Sequence, residues 1–203
     1  MVELALGALM SYLLGSIPTG YITAKFIRGI DIRDCGSGNI GATNVFRVVG
    51  KKWGVGVLAA DMLKGLLAVI WVGRSLTAEI APEFVNGVIC GIAAIAGHTW
   101  TIWLKFRGGK GVATSLGVLF GLVPAAAGGA VLVWLAVLWW KHYVSLASLV
   151  MALSFPGWVL LFYRGYAFLG VLLPISLLLS CFIFYTHRSN IKRLRDGTEK
   201  KVF

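Results

Sequence analysis

The sequence predicts an all-α integral membrane protein with about seven transmembrane helices. Hydrophobic residues make up 58% of the chain, and only 13% of its residues are charged. The mean hydropathy is +0.84, a value typical of lipid-soluble helical bundles rather than water-soluble domains. The apolar residues also form runs near the ~20 residues that one helix needs to cross a bilayer, and these runs extend from end to end of the chain.

We expect seven crossings, because short polar segments separate the apolar runs. They are residues 3–24, 53–72, 85–104, 112–123, 124–140, 143–163 and 166–186. The fourth and fifth come from one long run that Pro124 divides, since proline removes a backbone donor and restricts the residue before it. No N-terminal run resembles a cleavable signal peptide, so we expect residues 1–203 to form a single multi-span domain that keeps its first helix.

Basic residues set the expected orientation of these crossings. With seven spans, the 19 lysines and arginines fall mostly on one side, as six, three, one and six in residues 25–52, 105–111, 141–142 and 187–203. Only Arg74 and Arg164 fall on the other side, and Lys64 lies within a span. Because positive residues accumulate in cytoplasmic loops, we expect the N-terminus outside and the C-terminus in the cytoplasm.

Charge and cysteine content narrow the expected partners. A net charge of +11 would suit nucleic acid, but basic residues of a membrane chain usually mark cytoplasmic loops and attract anionic head groups or phosphorylated substrates. Cys35, Cys90 and Cys181 lack the spacing of a zinc site or redox pair, and we interpret them as reduced packing residues. We therefore expect contact with membrane lipid and no bound nucleic acid.

The first polar segment, CGSGNIGATNVFR at residues 35–47, is rich in groups that bind phosphate. Glycines let backbone N–H groups approach an oxyanion, hydroxyls and amides add donors, and Arg47 supplies a planar fork. The other expected binding residues are Gly36, Ser37, Gly38, Asn39, Gly41, Thr43 and Asn44. The segment formally contains GxGxxG, but a chain of membrane spans lacks the βαβ unit of a dinucleotide site. A polar turn at the membrane surface is the alternative.

The second polar segment, FRGGKGVAT at residues 106–114, opens the short fourth helix. Glycines that lead into a helix N-terminus place unpaired N–H groups and the positive end of the helix dipole at one point, here beside Lys110. Gly108, Gly109, Gly111 and Thr114 complete the expected anion site. It is not a Walker loop, since Gly111 stands where serine or threonine should follow the lysine. The alternative is a simple basic turn.

The third polar segment, HRSNIKRLRDGTE at residues 187–199, follows the last span. If the last helix continues past the interface, His187, Asn190 and Leu194 fall on one of its faces. Arg193 adds a cation, which we expect to bind substrate phosphate. A basic tail that only binds anionic lipid is the alternative.

Together the three segments supply glycine N–H groups, fixed cations and a histidine on the expected cytoplasmic side. This chemistry suits one or two phosphate-bearing substrates. It does not suit a divalent metal, which needs several oxygen ligands, and we expect neither metal nor cofactor. The nearby acids are Asp31, Asp34, Asp196 and Glu199.

SGNIGATNVFR, FRGGKGVAT and HRSNIKRLRDGTE together resemble the three motifs of the bacterial acyl-phosphate-dependent glycerol-3-phosphate acyltransferase family (PlsY type). The resemblance spans nearly the whole chain and includes GSIP at residues 15–18, Asp61 with Lys64, and Gly97 with His98. The sequence departs from the family at residues 99–101, Thr-Trp-Thr, where members usually carry a Phe-Pro pair. That departure bears on local helix shape rather than on chemistry.

The resemblance implies an enzyme of phospholipid biosynthesis in the bacterial inner membrane, with its active site facing the cytoplasm. Its reaction would move a fatty acyl group from acyl phosphate to the 1-hydroxyl of glycerol 3-phosphate, giving lysophosphatidic acid and phosphate. By the motif pattern, the functional positions are Ser37, Arg47, Lys110, His187 and Asn190. The glycines are expected to shape phosphate pockets, and Glu199 to tie the tail back.

The residue chemistry agrees with direct transfer, without a covalent acyl-enzyme. Acyl phosphate is a mixed anhydride whose phosphate leaves readily, so the enzyme mainly has to align the alcohol with the carbonyl and stabilise negative charge. No HxxxxD acyltransferase dyad follows any of the three histidines. Either His187 or the donor's own phosphate accepts the alcohol proton, and both alternatives stay open.

Three further residues lie within the spans and carry charge or polarity. Asp61 and Lys64 share a helix face, and we interpret them as a structural pair because charges at that depth are costly unless paired. His98 is interpreted as a packed histidine that donates to a neighbouring backbone group.

Two rival functions fit the same pattern. A small transporter of anionic metabolites also uses glycine-broken helices, but its polar residues should reach both faces of the membrane. A metal-dependent head-group transferase would lose its activity in chelator, whereas the proposed acyltransferase would keep it.

Overall fold

The computed structural model describes residues 2–76 and 82–202, which contain ten α-helices and no β-strand. The helices are α1 (Val2–Ser16), α2 (Thr19–Arg28), α3 (Ala42–Val48), α4 (Lys51–Leu67), α5 (Glu83–Thr99), α6 (Val112–Leu122), α7 (Pro124–Lys141), α8 (Val144–Tyr163), α9 (Leu169–Thr186) and α10 (Arg188–Arg195). The all-helical class predicted from the composition is confirmed.

Six helical stretches of the described chain are long and apolar enough to cross a membrane. They are Val2–Arg28, Lys51–Arg74, Glu83–Leu104, Pro124–Lys141, Val144–Tyr163 and Leu169–Thr186. The remaining expected crossing is α6, which has 11 residues and is shorter than the ~20 that span a bilayer core. The predicted division at Pro124 is confirmed, because this proline begins α7 at the position where a missing N–H breaks no helical hydrogen bond.

Three of these spans change helix geometry along their length. The first is interrupted between α1 and α2, where Pro18 has no N–H to donate. The second passes from α4 into a π-helix, Ala68–Leu76. The third leaves the α-helix after Thr99 and ends in a 3₁₀ turn, Ile102–Leu104, so the helix changes at the Thr-Trp-Thr sequence. The expected spans at residues 3–24, 53–72 and 85–104 each lie within one of the six apolar helical stretches, and the change of helix geometry inside them is an additional finding.

The chain divides into two compact units, Met1–Leu122 and Val123–Phe203. In unit 1, glycines bring helix backbones into direct contact, since any side chain at these positions would overlap the neighbouring helix. Gly15 lies against the backbone of Ala94, which joins α1 to α5. Gly117 lies against Met62, which joins α6 to α4.

In unit 2, small polar residues help to join α7, α8 and α9. Trp134 of α7 donates to Ser148 of α8 over 3.3 Å. Ser180 of α9 donates to the carbonyl oxygen of Ala152 in α8 over 2.6 Å. Such hydrogen bonds between helices are common where lipid offers no polar partner. This helical frame carries the basic tail.

Candidate active site

The first glycine-rich loop, residues 35–41, is held in shape by the amide of Asn44. Its Nδ2 donates to the carbonyl oxygens of Cys35 and Asn39, each at 2.9 Å, and its Oδ1 accepts the N–H of Ser37 at 2.9 Å. Asn44 is only 2% exposed. The sequence predicts Asn44 as a phosphate donor, but both ends of its amide are used to build the loop.

Gly36 is required at its position for two reasons. Its φ of 63° lies in the left-handed region, which favours glycine. In addition, a side-chain carbon at this position would overlap Oδ1 of Asn44. A larger residue would therefore displace the amide that frames the loop.

Two of the expected backbone donors bond within the same loop. The N–H of Gly38 donates to the carbonyl oxygen of Cys35 over 3.0 Å. The N–H of Gly41 donates to Oδ1 of Asn39 over 2.9 Å. Ser37 is exposed together with Gly36 and Gly38, so its hydroxyl lies in a part of the loop that is open to a substrate.

Arg47 lies on α3, a short helix that the sequence reasoning missed. Val45 and Val49, four residues apart, are buried on one side of this segment and belong to an apolar cluster with Ile32 and Ile40. Their spacing was the signal available in the sequence. Arg47 is half-buried on this helix, whereas Thr43 is half-buried near its start.

The second glycine-rich loop, residues 105–111, is bound to the end of α5. The N–H of Gly108 donates to the carbonyl oxygen of Thr99, and the N–H of Gly109 donates to that of His98, each over 3.0 Å. These bonds satisfy two carbonyl groups that a helix end leaves unpaired. The N–H groups of Gly108 and Gly109 therefore bond within the protein, so these glycines offer space rather than hydrogen-bond donors to a phosphate site.

The same two glycines have no room for a side chain. A carbon added to Gly108 would overlap the carbonyl oxygen of His98, and one added to Gly109 would overlap the His98 ring at Nε2. His98 is thus in direct contact with the loop that carries Lys110. The sequence reasoning did not anticipate this contact.

The second loop leads into α6 as the motif predicts. Gly111 adopts a left-handed φ of 84° immediately before the helix, and the N–H of Ser115 donates to its carbonyl oxygen over 2.7 Å. Lys110 is half-buried at this helix start, while Thr114 is completely buried on the first turn. The positive end of α6 and the charge of Lys110 therefore lie together.

A buried polar cluster surrounds Asp61 in unit 1. Its Oδ1 accepts the hydroxyl of Thr19 at 2.6 Å, and Lys64 Nζ lies 2.8 Å from the same atom. Nδ1 of His98 lies 3.6 Å from it. Lys64 also donates to the carbonyl oxygen of Ile17, at the interruption between α1 and α2, over 3.0 Å. The two charges are paired within hydrogen-bond distance.

In unit 2, His187 lies at the junction between α9 and α10. The helix is interrupted at this residue, because α9 ends at Thr186 and α10 begins at Arg188. The ring is buried, and its Nδ1 lies 2.9 Å from the carbonyl oxygen of Ile183. Because a carbonyl oxygen can only accept, Nδ1 carries a proton in this contact, and in the neutral form of the ring the lone pair would lie on Nε2.

The carboxylate of Glu199 accepts hydrogen bonds from polar side chains of the tail. Its Oε1 accepts Nδ2 of Asn190 and the hydroxyl of Ser145, each at 2.7 Å. Its Oε2 accepts Nε of Arg193 at 2.6 Å. Arg193, expected to bind substrate phosphate, is therefore engaged through Nε with this carboxylate. The contact with Ser145 attaches the tail to α8.

The pKa of Glu199 is lowered by these partners. Burial of the carboxyl group opposes ionisation, but hydrogen bonds from Ser145, Arg193 and Asn190 outweigh that effect. The carboxylate is therefore ionised at neutral pH, as its role as an acceptor for three donors requires.

The fold and these polar segments define a class of protein. It is a helical integral membrane protein whose polar groups are concentrated in basic, glycine-rich loops and a basic tail, an arrangement suited to anionic ligands. Within the described ranges, no group of three His, Cys, Asp or Glu side chains lies close enough to hold a metal ion.

The chain belongs to the glycerol-3-phosphate acyltransferase family, whose sequence profile matches residues 5–197. It is 46% identical over 194 residues to a glycerol-3-phosphate acyltransferase of Desulforudis audaxviator (strain MP104C), covering 95% of this chain and 92% of that relative. The crystal structure of PlsY (YgiH), an integral membrane glycerol 3-phosphate acyltransferase, in its glycerol 3-phosphate form gives a TM-score of 0.85 at 39% identity, covering 98% and 94% of the two chains. Its lysophosphatidic acid form gives 0.83. The resemblance is confirmed, and the protein is an acyltransferase.

Proposed function

We propose that this acyltransferase moves a fatty acyl group from acyl phosphate to the 1-hydroxyl of glycerol 3-phosphate. The hydroxyl oxygen attacks the acyl carbonyl carbon, and the bond from that carbon to the phosphate oxygen breaks. Phosphate leaves with the bonding electrons, and the hydroxyl proton passes to a base. The products are lysophosphatidic acid and inorganic phosphate, and no acyl-enzyme forms.

The observation that carries this proposal is the pair of glycine-rich loops in unit 1. One presents the exposed hydroxyl of Ser37 beside the helix of Arg47, and the other presents Lys110 at the start of α6. Hydroxyls, fixed cations and a positive helix end are the groups that stabilise phosphate and a developing oxyanion. Crystal forms of PlsY with glycerol 3-phosphate and with lysophosphatidic acid support the same chemistry for this chain.

We assign the proton acceptor to Nε2 of His187. The contact of Nδ1 with the Ile183 carbonyl oxygen favours the neutral tautomer whose Nε2 accepts a proton. Asn190 donates to Glu199 over 2.7 Å, and we propose that this contact orients its amide for substrate binding. Membrane-spanning apolar helices supply the surface along which the acyl chain lies.

We further propose that the active site faces the cytoplasm of the bacterial inner membrane, with both units acting as one enzyme. The positive-inside bias supports this orientation. Single cysteines at Lys52, Lys200 and Arg164 test it with an impermeant maleimide in a background that lacks Cys35 and Cys181. Only position 164 should react in intact cells; reaction at 52 or 200 before permeabilisation would contradict the orientation.

The activity is tested with purified protein, palmitoyl phosphate and radiolabelled glycerol 3-phosphate. We expect label in an organic-extractable product and one phosphate released for each product formed, with no loss of rate in chelator. Palmitoyl-coenzyme A should not replace the phosphate donor. A transporter would form no product, and a metal-dependent transferase would stop in chelator; either result would overturn the proposal.

A further inference from the structure

We infer that Asp61 is a positioning residue that sets the two glycine-rich loops of unit 1 relative to each other. It does not touch substrate, and it acts through Thr19 on one side and His98 on the other. The inference rests on the proposed function, in which Ser37 and Lys110 on these loops bind the reacting groups.

The link from Asp61 to the second loop passes through His98. The carboxylate lies 3.6 Å from Nδ1 on one edge of the ring. The opposite edge, at Nε2, is in contact with Gly109, and the His98 carbonyl oxygen accepts the Gly109 N–H. The ring therefore fills the space between Asp61 and the residue next to Lys110. A shift of His98 away from Asp61 would move the loop or leave it without support.

The link from Asp61 to the first loop passes through the start of α2. Oδ1 of Asp61 accepts the Thr19 hydroxyl at 2.6 Å, which fixes the chain directly after Pro18. The next residue, Gly20, lies so close to the carbonyl oxygen of Ile40 that a side-chain carbon would overlap it. Ile40 belongs to the first loop and is 4% exposed. One carboxylate oxygen therefore has a short connection to each loop.

A positioning role of Asp61 can be distinguished from a purely stabilising role of the Asp61–Lys64 ion pair. Burying an ion pair adds little stability, and replacing both charges with apolar residues of similar volume is often neutral or favourable. Asp61 and Lys64 are 2% and 5% exposed, so a purely structural pair would be replaceable in this way. A positioning residue would not be, because the hydrogen bond to Thr19 and the contact with His98 require an acceptor oxygen.

Two double variants distinguish the roles, and both avoid leaving an unpaired buried charge. Asp61→Leu/Lys64→Met removes the acceptor, whereas Asp61→Asn/Lys64→Met removes the same charges and keeps an oxygen at the same place. For folded protein, we expect kcat of the leucine variant to fall about tenfold to a hundredfold. The kcat of the asparagine variant should stay within about threefold of that of the unaltered enzyme, and its KM for each substrate should change as little.

The thermal unfolding temperature of each variant is measured in the same detergent, so that kcat is compared only among folded samples. Glu83→Gln is the control, since it removes an exposed ion pair with Arg74 in the same unit. Equal kcat for the leucine variant, the asparagine variant and the unaltered enzyme would overturn the inference. Equal losses in both double variants would also overturn it, because the acceptor oxygen would then be irrelevant.

A second readout does not depend on catalysis. A nitroxide at position 107, in protein with serine at Cys35 and Cys181, reports the mobility of the second loop. We expect a more mobile spectrum in Asp61→Leu/Lys64→Met and an unchanged one in Asp61→Asn/Lys64→Met. If the unaltered protein transfers no acyl group, the proposed function fails while this spectrum still decides the role of Asp61; an unchanged spectrum in the leucine variant would contradict that role.

Discussion

The glycine-rich loops of unit 1 and the basic tail of unit 2 are held by different kinds of contact. The second loop lies directly on a helix end, and its glycines meet a carbonyl oxygen and the ring of His98. The polar side chains of the tail meet at one carboxylate, Glu199, which accepts hydrogen bonds from three side chains. The second loop therefore depends on space at the backbone, whereas this part of the tail depends on a titratable group.

This difference predicts how each region responds to change. Close backbone contacts tolerate no added atom. A carboxylate that accepts hydrogen bonds from several donors tolerates small changes in volume. When it is protonated, it loses those hydrogen bonds. Substitutions that add volume to a loop glycine and substitutions that remove a charged or titratable group therefore test different kinds of contact.

The largest effect is expected for Gly109→Ala in unit 1. The added carbon would overlap the His98 ring, so the second loop must move and Lys110 with it. We expect acyl transfer to fall by about a hundredfold or more. Gly56→Ala is the matched control, because nothing lies within 4 Å of the carbon added there; its activity should not fall. Activity of Gly109→Ala equal to that of this control would show that the loop contact is unimportant.

Lys110→Gln removes a charge from the same loop without adding volume. If Lys110 stabilises the phosphate that leaves, kcat/KM should fall about 10² to 10³-fold. Lys105→Gln, an exposed residue of the same segment, should change it little. Steady-state rates at several concentrations of both substrates provide the measurement. Equal rates for the two variants would contradict a role for Lys110.

His187→Gln tests the reactive side chain of unit 2. Loss of a general base is expected to lower kcat about 100-fold and to remove the lower limb of the pH–rate profile. The profile is the informative readout, since a residue that only supports the helix junction would lower the rate without changing its pH dependence. Near-full turnover with an unchanged profile would leave the donor's phosphate as the proton acceptor.

The smallest effect is expected from protonation of Glu199. Its pKa is lowered in the folded protein, so its stabilising contribution is complete above the ordinary pKa of a glutamate and is lost as pH falls through the lower folded value. The unfolding temperature of the unaltered protein should exceed that of Glu199→Gln at neutral pH, and the gap should close on acidification. A constant gap for Glu199→Gln would contradict the account of the tail.

Much of the fold was predictable because hydrophobic run length is a strong signal. The division at Pro124 and the start of α6 after Gly111 followed from local residue chemistry. The interruption at Pro18 and the helix α3 were not predicted. Pro18 lies within a long apolar run that resembles one continuous span, and α3 lies within a short polar motif that resembles a loop.

The polar residues of the candidate site were harder to interpret than to find. The sequence predicts Asn44, Gly108 and Gly109 as donors to phosphate, but their partners are backbone groups of residues slightly earlier in the chain. No local pattern indicates such a partner. The contact of His98 with Gly109 likewise depends on the packing of one element against another, which spacing along a single segment does not reveal.

Direct acyl transfer is tested most directly by rapid mixing of purified enzyme with acyl phosphate alone and then with glycerol 3-phosphate. With acyl phosphate alone, we expect no burst of phosphate and no gain in protein mass; addition of glycerol 3-phosphate should release phosphate and form lysophosphatidic acid at the same rate. A stoichiometric burst of phosphate before the alcohol is added, with an acyl group attached to the protein, would contradict the account.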